Sequence, residues 1–148
     1  MSPELALGTV LGLLAMATVL GAVWRSRQGV VRDAEPGLVL TPETLQTRSD
    51  FGIQGTLVLF TSANCAQCPS ARRLLQTRLS DEPGLALVEV DLTARTDLAA
   101  DLHILQTPTV FVLDGNGLVL GRIGGVPRLA ELEGLLIPLI ERIPAHVG

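Results

Sequence analysis

The sequence predicts an α/β domain with a mixed central sheet, carried behind one membrane-spanning helix. Three observations predict it. An uncharged apolar stretch fills residues 5–24. Beyond it, short apolar runs alternate with segments whose apolar residues recur three and four apart. The last two runs are joined by Asp114-Gly115-Asn116-Gly117, a strong turn signal. Helical crossovers make strands parallel and a hairpin makes them antiparallel, so the sheet is mixed. A length of 148 residues fits one domain plus a short appendage.

Residues 5–24 (LALGTVLGLLAMATVLGAVW) carry no charge and as a helix measure about 30 Å, the thickness of a bilayer core. A cleaved signal peptide is the competing reading, but it wants a positive leader and a shorter apolar core. This leader has Glu4 and no Arg, and the stretch runs directly into Trp24 and Arg25, which favours an anchor. Arg25, Arg27 and Arg32 follow the stretch, whereas Glu4 and the α-amino group precede it. The positive-inside rule then makes the chain a single-pass protein of the cell membrane with its domain on the cytoplasmic side. Residues 25–37 mix Arg, Gln, Gly, Asp, Glu and Pro without a period and read as a juxtamembrane linker. The folded domain takes residues 38–148.

Residues 38–40 read as a short strand, and Thr41-Pro42-Glu43 as a helix start with Thr as cap and Pro in the first turn. Residues 56–60 (TLVLF) form a continuous apolar run, the mark of a strand buried on both faces. A helix is expected over 65–79, with Ala71, Leu74, Leu75 and Leu79 on one side and Arg72, Arg73 and Gln76 on the other. Strands follow at 85–90, 109–113 and 118–123, with a weaker helix at 97–102 between the first two. Leu129, Leu132, Leu135, Leu136 and Leu139 recur at helical spacing after Pro127, giving a closing helix that Pro138 kinks or divides.

Composition excludes other classes. At 47% hydrophobic and 18% charged residues, wholesale disorder is ruled out. A net charge of −4 and 3% aromatics argue against nucleic acid as a partner. Two cysteines are too few for a disulfide-stapled scaffold.

Those two, Cys65 and Cys68, stand three apart where the first central strand gives way to a helix. Unpaired amides and the dipole at a helix N-terminus stabilise a thiolate, so Cys65 is the candidate nucleophile. Cys68, one turn on and turned inward, is the candidate resolving thiol. A zinc site would need two more ligands, and only His103 and His146 are available as histidines, at no zinc-finger spacing. No metal and no organic cofactor is therefore expected. Asp91, Asp97 and Asp101 read as solvated, and His103 as a helix-end residue.

With TLVLFTSANCAQCPSARRLL, LALVEVDLT, LQTPTVFVLDGNG and GRIGG in place, residues 38–143 resemble the thioredoxin family. The resemblance implies a thioredoxin-like three-layer fold and a thiol:disulfide oxidoreductase, acting as a disulfide reductase in cell redox homeostasis. It implies protein disulfide or dithiol substrates and a separate electron donor. It also implies that Pro108 is cis beside the cysteines, that Thr107 and Pro108 bind an extended substrate segment, and that Gly124-Gly125 forms a loop near the site. The chain departs from the family at two points. Asn64-Cys65-Ala66-Gln67-Cys68 replaces the usual Trp-Cys-Gly-Pro-Cys, and the buried acid that assists proton transfer falls at Leu59. Two readings remain beside this one: a non-enzymatic or metal-carrying module, and an exported thiol reductase of the kind used in cytochrome c maturation.

Overall fold

The computed structural model describes residues 2–26, 31–32 and 36–141. Helix α1 spans Pro3–Ser26 and none of its residues is buried. Its 24 residues measure about 36 Å, so the helix is long and apolar enough to cross a bilayer. Arg27, Ile143 and His146 lie outside the described residues.

The domain contains strands β1 (Val31–Arg32), β2 (Gly55–Thr61), β3 (Leu85–Asp91), β4 (Thr109–Asp114) and β5 (Val119–Gly124), with helices α2 (Cys68–Leu79), α3 (Thr96–Asp101) and α4 (Leu129–Glu141). The sheet order is β1-β5-β4-β2-β3. β2 pairs parallel to β3 across the α2 crossover, and β2·β4, β4·β5 and β1·β5 are antiparallel. This is the mixed sheet expected. β2 lies between two neighbours and every one of its residues is buried, as a strand apolar on both faces requires.

Because side chains alternate along a strand, β2 feeds two cores. Leu57 and Leu59 pack with Ala71 and Leu75 of α2 and Leu132, Leu136 and Leu139 of α4. Val58 and Phe60 pack on the other face with Leu45, Leu102, Ile104 and Phe111, where the Phe60 and Phe111 rings meet edge to face at 5.0 Å. Helices on one face, sheet, and α3 with the turn after Leu40 on the other make three layers.

Four local expectations change. No helix grows from Thr41-Pro42-Glu43: Leu45 and Gln46 close single turns onto Thr41 and Glu43, and Gln46 ends them in the left-handed region at φ 48°. Residues 38–40 make only an isolated bridge, Val39 to Leu118. Val31 and Arg32, inside the stretch read as linker, pair with Ile123 and Arg122 as an edge strand. Finally, α2 begins at Cys68, one turn later than its apolar spacing implies. In a helix starting at Cys65 the carbonyl of Cys65 would need the amide of residue 69, and that residue is Pro69. Pro138, by contrast, lies inside α4, which continues to Glu141.

Candidate active site

The chain leaves β2 at Thr61, on the end of the sheet where β3 also finishes and β4 begins. The Cys65 amide donates to the Ser62 carbonyl at 3.1 Å and the Cys68 amide to the Cys65 carbonyl at 3.3 Å. That tight path sets the two Cα atoms 5.5 Å apart and the sulfurs are joined, S–S 2.02 Å. Cys68 is buried at 4% exposure, whereas Cys65 is only half-buried and its neighbours Ala66 and Gln67 are exposed. The first helical residue is thus Cys68, and Cys65 stands in the turn ahead of it.

At the same end of the sheet, just ahead of β4, lies Gln106-Thr107-Pro108, and the Thr107–Pro108 peptide is cis, as the resemblance implies. Ser62 and Thr107 hydroxyls meet at 2.8 Å, tying the loop after β2 to that segment. The Thr109 hydroxyl donates to the Gln106 carbonyl at 2.8 Å. Gly125, at φ 87°, donates its amide to the Pro108 carbonyl at 2.7 Å; a left-handed residue here is least costly as glycine. Gly124-Gly125 thus lies against the Pro108 segment.

A second brace comes from β3. The Ala63 amide donates to Thr93 Oγ1 at 2.8 Å, and Asp91 Oδ1 accepts from the Thr93 amide at 2.8 Å and from its hydroxyl. The Thr93 hydroxyl holds the Asp91 carboxyl below its ordinary range, helped by that amide. Ser62 and Thr93 were not singled out by the sequence reading; Asp91-Leu92-Thr93, a short polar turn after a strand, is the signal that points to Thr93.

Leu59, at the position of the family's acid, is fully buried and registers with Val110 on β4 and Glu89 on β3. A carboxylate is therefore one strand away, but it is engaged: Arg72 of α2 donates to Glu89 through Nε at 2.7 Å and through its NH2 group. Those bonds from Arg72 hold the Glu89 carboxyl below its usual value against the opposing effect of burial. Arg72 accordingly has a partner and does not face the sulfurs as a free charge. His103 follows α3 at φ 50°, and its carbonyl accepts from Arg122 at 2.6 Å. Among the described residues no group of three or more His, Cys, Asp or Glu is gathered to hold a metal.

This backbone superposes on a mutant thioredoxin from Halobacterium salinarum NRC-1 with a TM-score of 0.52 and 20% identity, over 62% of this chain and 79% of that one. The chain has the thioredoxin fold. Thioredoxin f from spinach chloroplast gives a TM-score of 0.51 at 20% identity, over 58% of this chain and 77% of that one. Thioredoxin-2 of the malaria parasite, described as a component of its protein secretion machinery, gives 0.52 at 18% identity, over 62% and 87%. At these identities the likeness is one of fold. No family profile and no curated protein matches the sequence. Within the thioredoxin fold, Cys65 and Cys68 occupy the loop and helix start after the central strand, and Thr107 and Pro108 the segment leading into β4.

Proposed function

We propose that the chain is a membrane-anchored thiol:disulfide oxidoreductase that works as a disulfide reductase through Cys65 and Cys68. The observation that carries this reading is one pair of cysteines in disulfide geometry, unequal in exposure, beside a cis-proline segment on a thioredoxin fold. The half-buried Cys65 is the sulfur a protein substrate can reach; Cys68 is covered until a bond forms on its neighbour.

In the reduced form the Cys65 thiolate attacks one sulfur of a substrate disulfide, forming a mixed disulfide and releasing the other substrate sulfur as a thiolate that takes up a proton. Cys68, deprotonated, then attacks Cys65 Sγ. The second substrate sulfur leaves and is protonated, and the Cys65–Cys68 disulfide closes. Two electrons have passed to the substrate. A dithiol donor returns them by the reverse exchange. With Leu59 in place of an acid, the Cys68 proton goes to solvent or to the departing substrate thiolate. Thr107 and Pro108 present backbone to an extended substrate segment beside the sulfurs.

Helix α1 supplies the anchor, and Arg25 at its C-terminal end supports a cytoplasmic domain. There the ambient thiol pool keeps the pair reduced, which suits a reductase.

The test is trapping. Cys68→Ser should accumulate a mixed disulfide with a peptide disulfide and Cys65→Ser should not. Equal trapping by both, or by neither, overturns the assignment. Labelling of Cys65 by a membrane-impermeant thiol reagent in intact cells stripped of their wall would place the domain outside and favour an exported reductase.

A further inference from the structure

From two independent constraints we infer that the cysteine end of the sheet faces the bilayer, so that the substrates are disulfides of membrane proteins lying close to the membrane surface. The inference rests on α1 as an anchor and on the oxidoreductase reading above.

The first constraint is topological. β2 runs toward the cysteines, β4 starts beside them, β5 returns to them with Gly124 opposite Thr109, and β1 starts there again with Val31 opposite Ile123. The chain therefore passes from α1 into the sheet at its cysteine end. Only residues 27–30 separate Ser26 from Val31, and five residue steps reach at most about 18 Å. β1 and β4 lie two strands apart in the sheet, about 10 Å at the usual strand spacing, so Pro108 sits close to that point. The Asp114–Gly117 turn is at the other end of β4, whose 6 residues put it about 20 Å farther from the anchor.

The second constraint is a contact. Arg128, immediately before α4, donates through an NH2 group to the Ser26 carbonyl at 3.2 Å. It satisfies the Ser26 carbonyl, the last of α1, which has no backbone partner within the helix. α4 starts just after β5 ends, again at the cysteine end. Both links hold the end of the anchor against the same end of the sheet. Leu105, 92% exposed, and Leu129, 57% exposed, stand on that end too, apolar side chains suited to a headgroup boundary or a membrane protein's flank.

A tether this short converts the reaction with a low-lying disulfide into a nearly intramolecular one, at effective concentrations of about millimolar. A disulfide far above the bilayer gains nothing, because the sulfurs point away from it.

The full chain is reconstituted into phosphatidylcholine vesicles doped with a nickel-chelating lipid. A spin label is placed on Cys65 in the Cys68→Ser variant or on Asn116→Cys in the variant with both native cysteines changed to Ser. Relaxation by headgroup nickel should be severalfold stronger at 65 than at 116. Equal or reversed values, or a chain that does not float with the vesicles, overturn the inference. In a parallel assay the unlabelled chain reduces a peptide disulfide held on a lipid by a short spacer severalfold faster than one on a long spacer. Inserting ten Gly and Ser residues after Ser26 should abolish that preference without changing the rate on the free peptide; a retained preference counts against the inference. Should the free peptide go unreduced, the oxidoreductase reading fails, while the label distances still decide the orientation.

Discussion

Replacing Leu59 by Asp puts a carboxyl where the family has its acid, and replacing it by Asn puts an uncharged group of the same shape there. Both variants lose a fully buried Leu side chain, about 2–3 kcal/mol of burial. Both also strand a polar group in an apolar layer, roughly 1–3 kcal/mol more. Together these cost about 3–6 kcal/mol, which a domain in the upper part of the usual range of about 5–15 kcal/mol survives as the Asn variant, weakened. Only Asp titrates. Around it stand Leu57, Ala71, Leu75 and Val110, with Glu89 opposite on β3 and Arg72 bonded to Glu89. Burial and the like charge of Glu89 raise the new carboxyl above its ordinary range, and Arg72, already bonded to Glu89, only partly opposes them. Asp therefore falls behind Asn as pH rises from 4 to 7, by roughly 1.4–4 kcal/mol for a carboxyl buried in this way. The direction follows from proton binding. The folded form holds this proton more tightly than the unfolded form, so stability is complete below the unfolded pKa and is lost as pH rises through the folded one. The lone Trp24 sits on α1 and there is no Tyr, so urea unfolding of the full chain in detergent micelles is followed by far-ultraviolet circular dichroism. Parallel pH profiles for Asp and Asn would refute the reasoning, since they would mean the site is wet or its charges are already compensated.

Leu75→Ala removes a fully buried side chain from the α2 face and should cost about 3 kcal/mol, whereas Ile53→Ala, at a site 87% exposed, should stay within about 0.5 kcal/mol; the same urea assay compares them. Glu133→Gln breaks the pair that ties α4 to Arg78 of α2, and partial exposure limits the loss to about 0.5–1 kcal/mol. Because the bonds from Arg78 lower the Glu133 carboxyl, that stabilisation is present above the unfolded pKa of about 4.3 and disappears as pH falls through the lower folded value. The gap between wild type and variant should therefore close in acid unfolding curves. Gly117→Ala forces φ 82° on a residue with a Cβ only 2.2 Å from the Leu40 carbonyl oxygen, so it should lose at least about 1–2 kcal/mol, read as a drop in melting temperature.

What the sequence determined alone is what local spacing encodes. The uncharged run of α1, the continuous apolar run of β2, the turn between β4 and β5 and the three-residue separation of Cys65 and Cys68 each depend on near neighbours, and each is found where the pattern predicts. The cis bond at Pro108 was legible only through resemblance. Tertiary structure decided the rest. A two-residue strand has no period to read, so β1 exists only because β5 offers Ile123 and Arg122 as partners. Arg72 looked like an exposed helix residue because Glu89, which engages it, is 17 positions away. The bond from Ser62 to Thr107 spans 45 positions and that from Arg128 to Ser26 spans 102. Such pairings arise from the order in which strands are laid side by side, a property of the whole fold that no short window of residues contains.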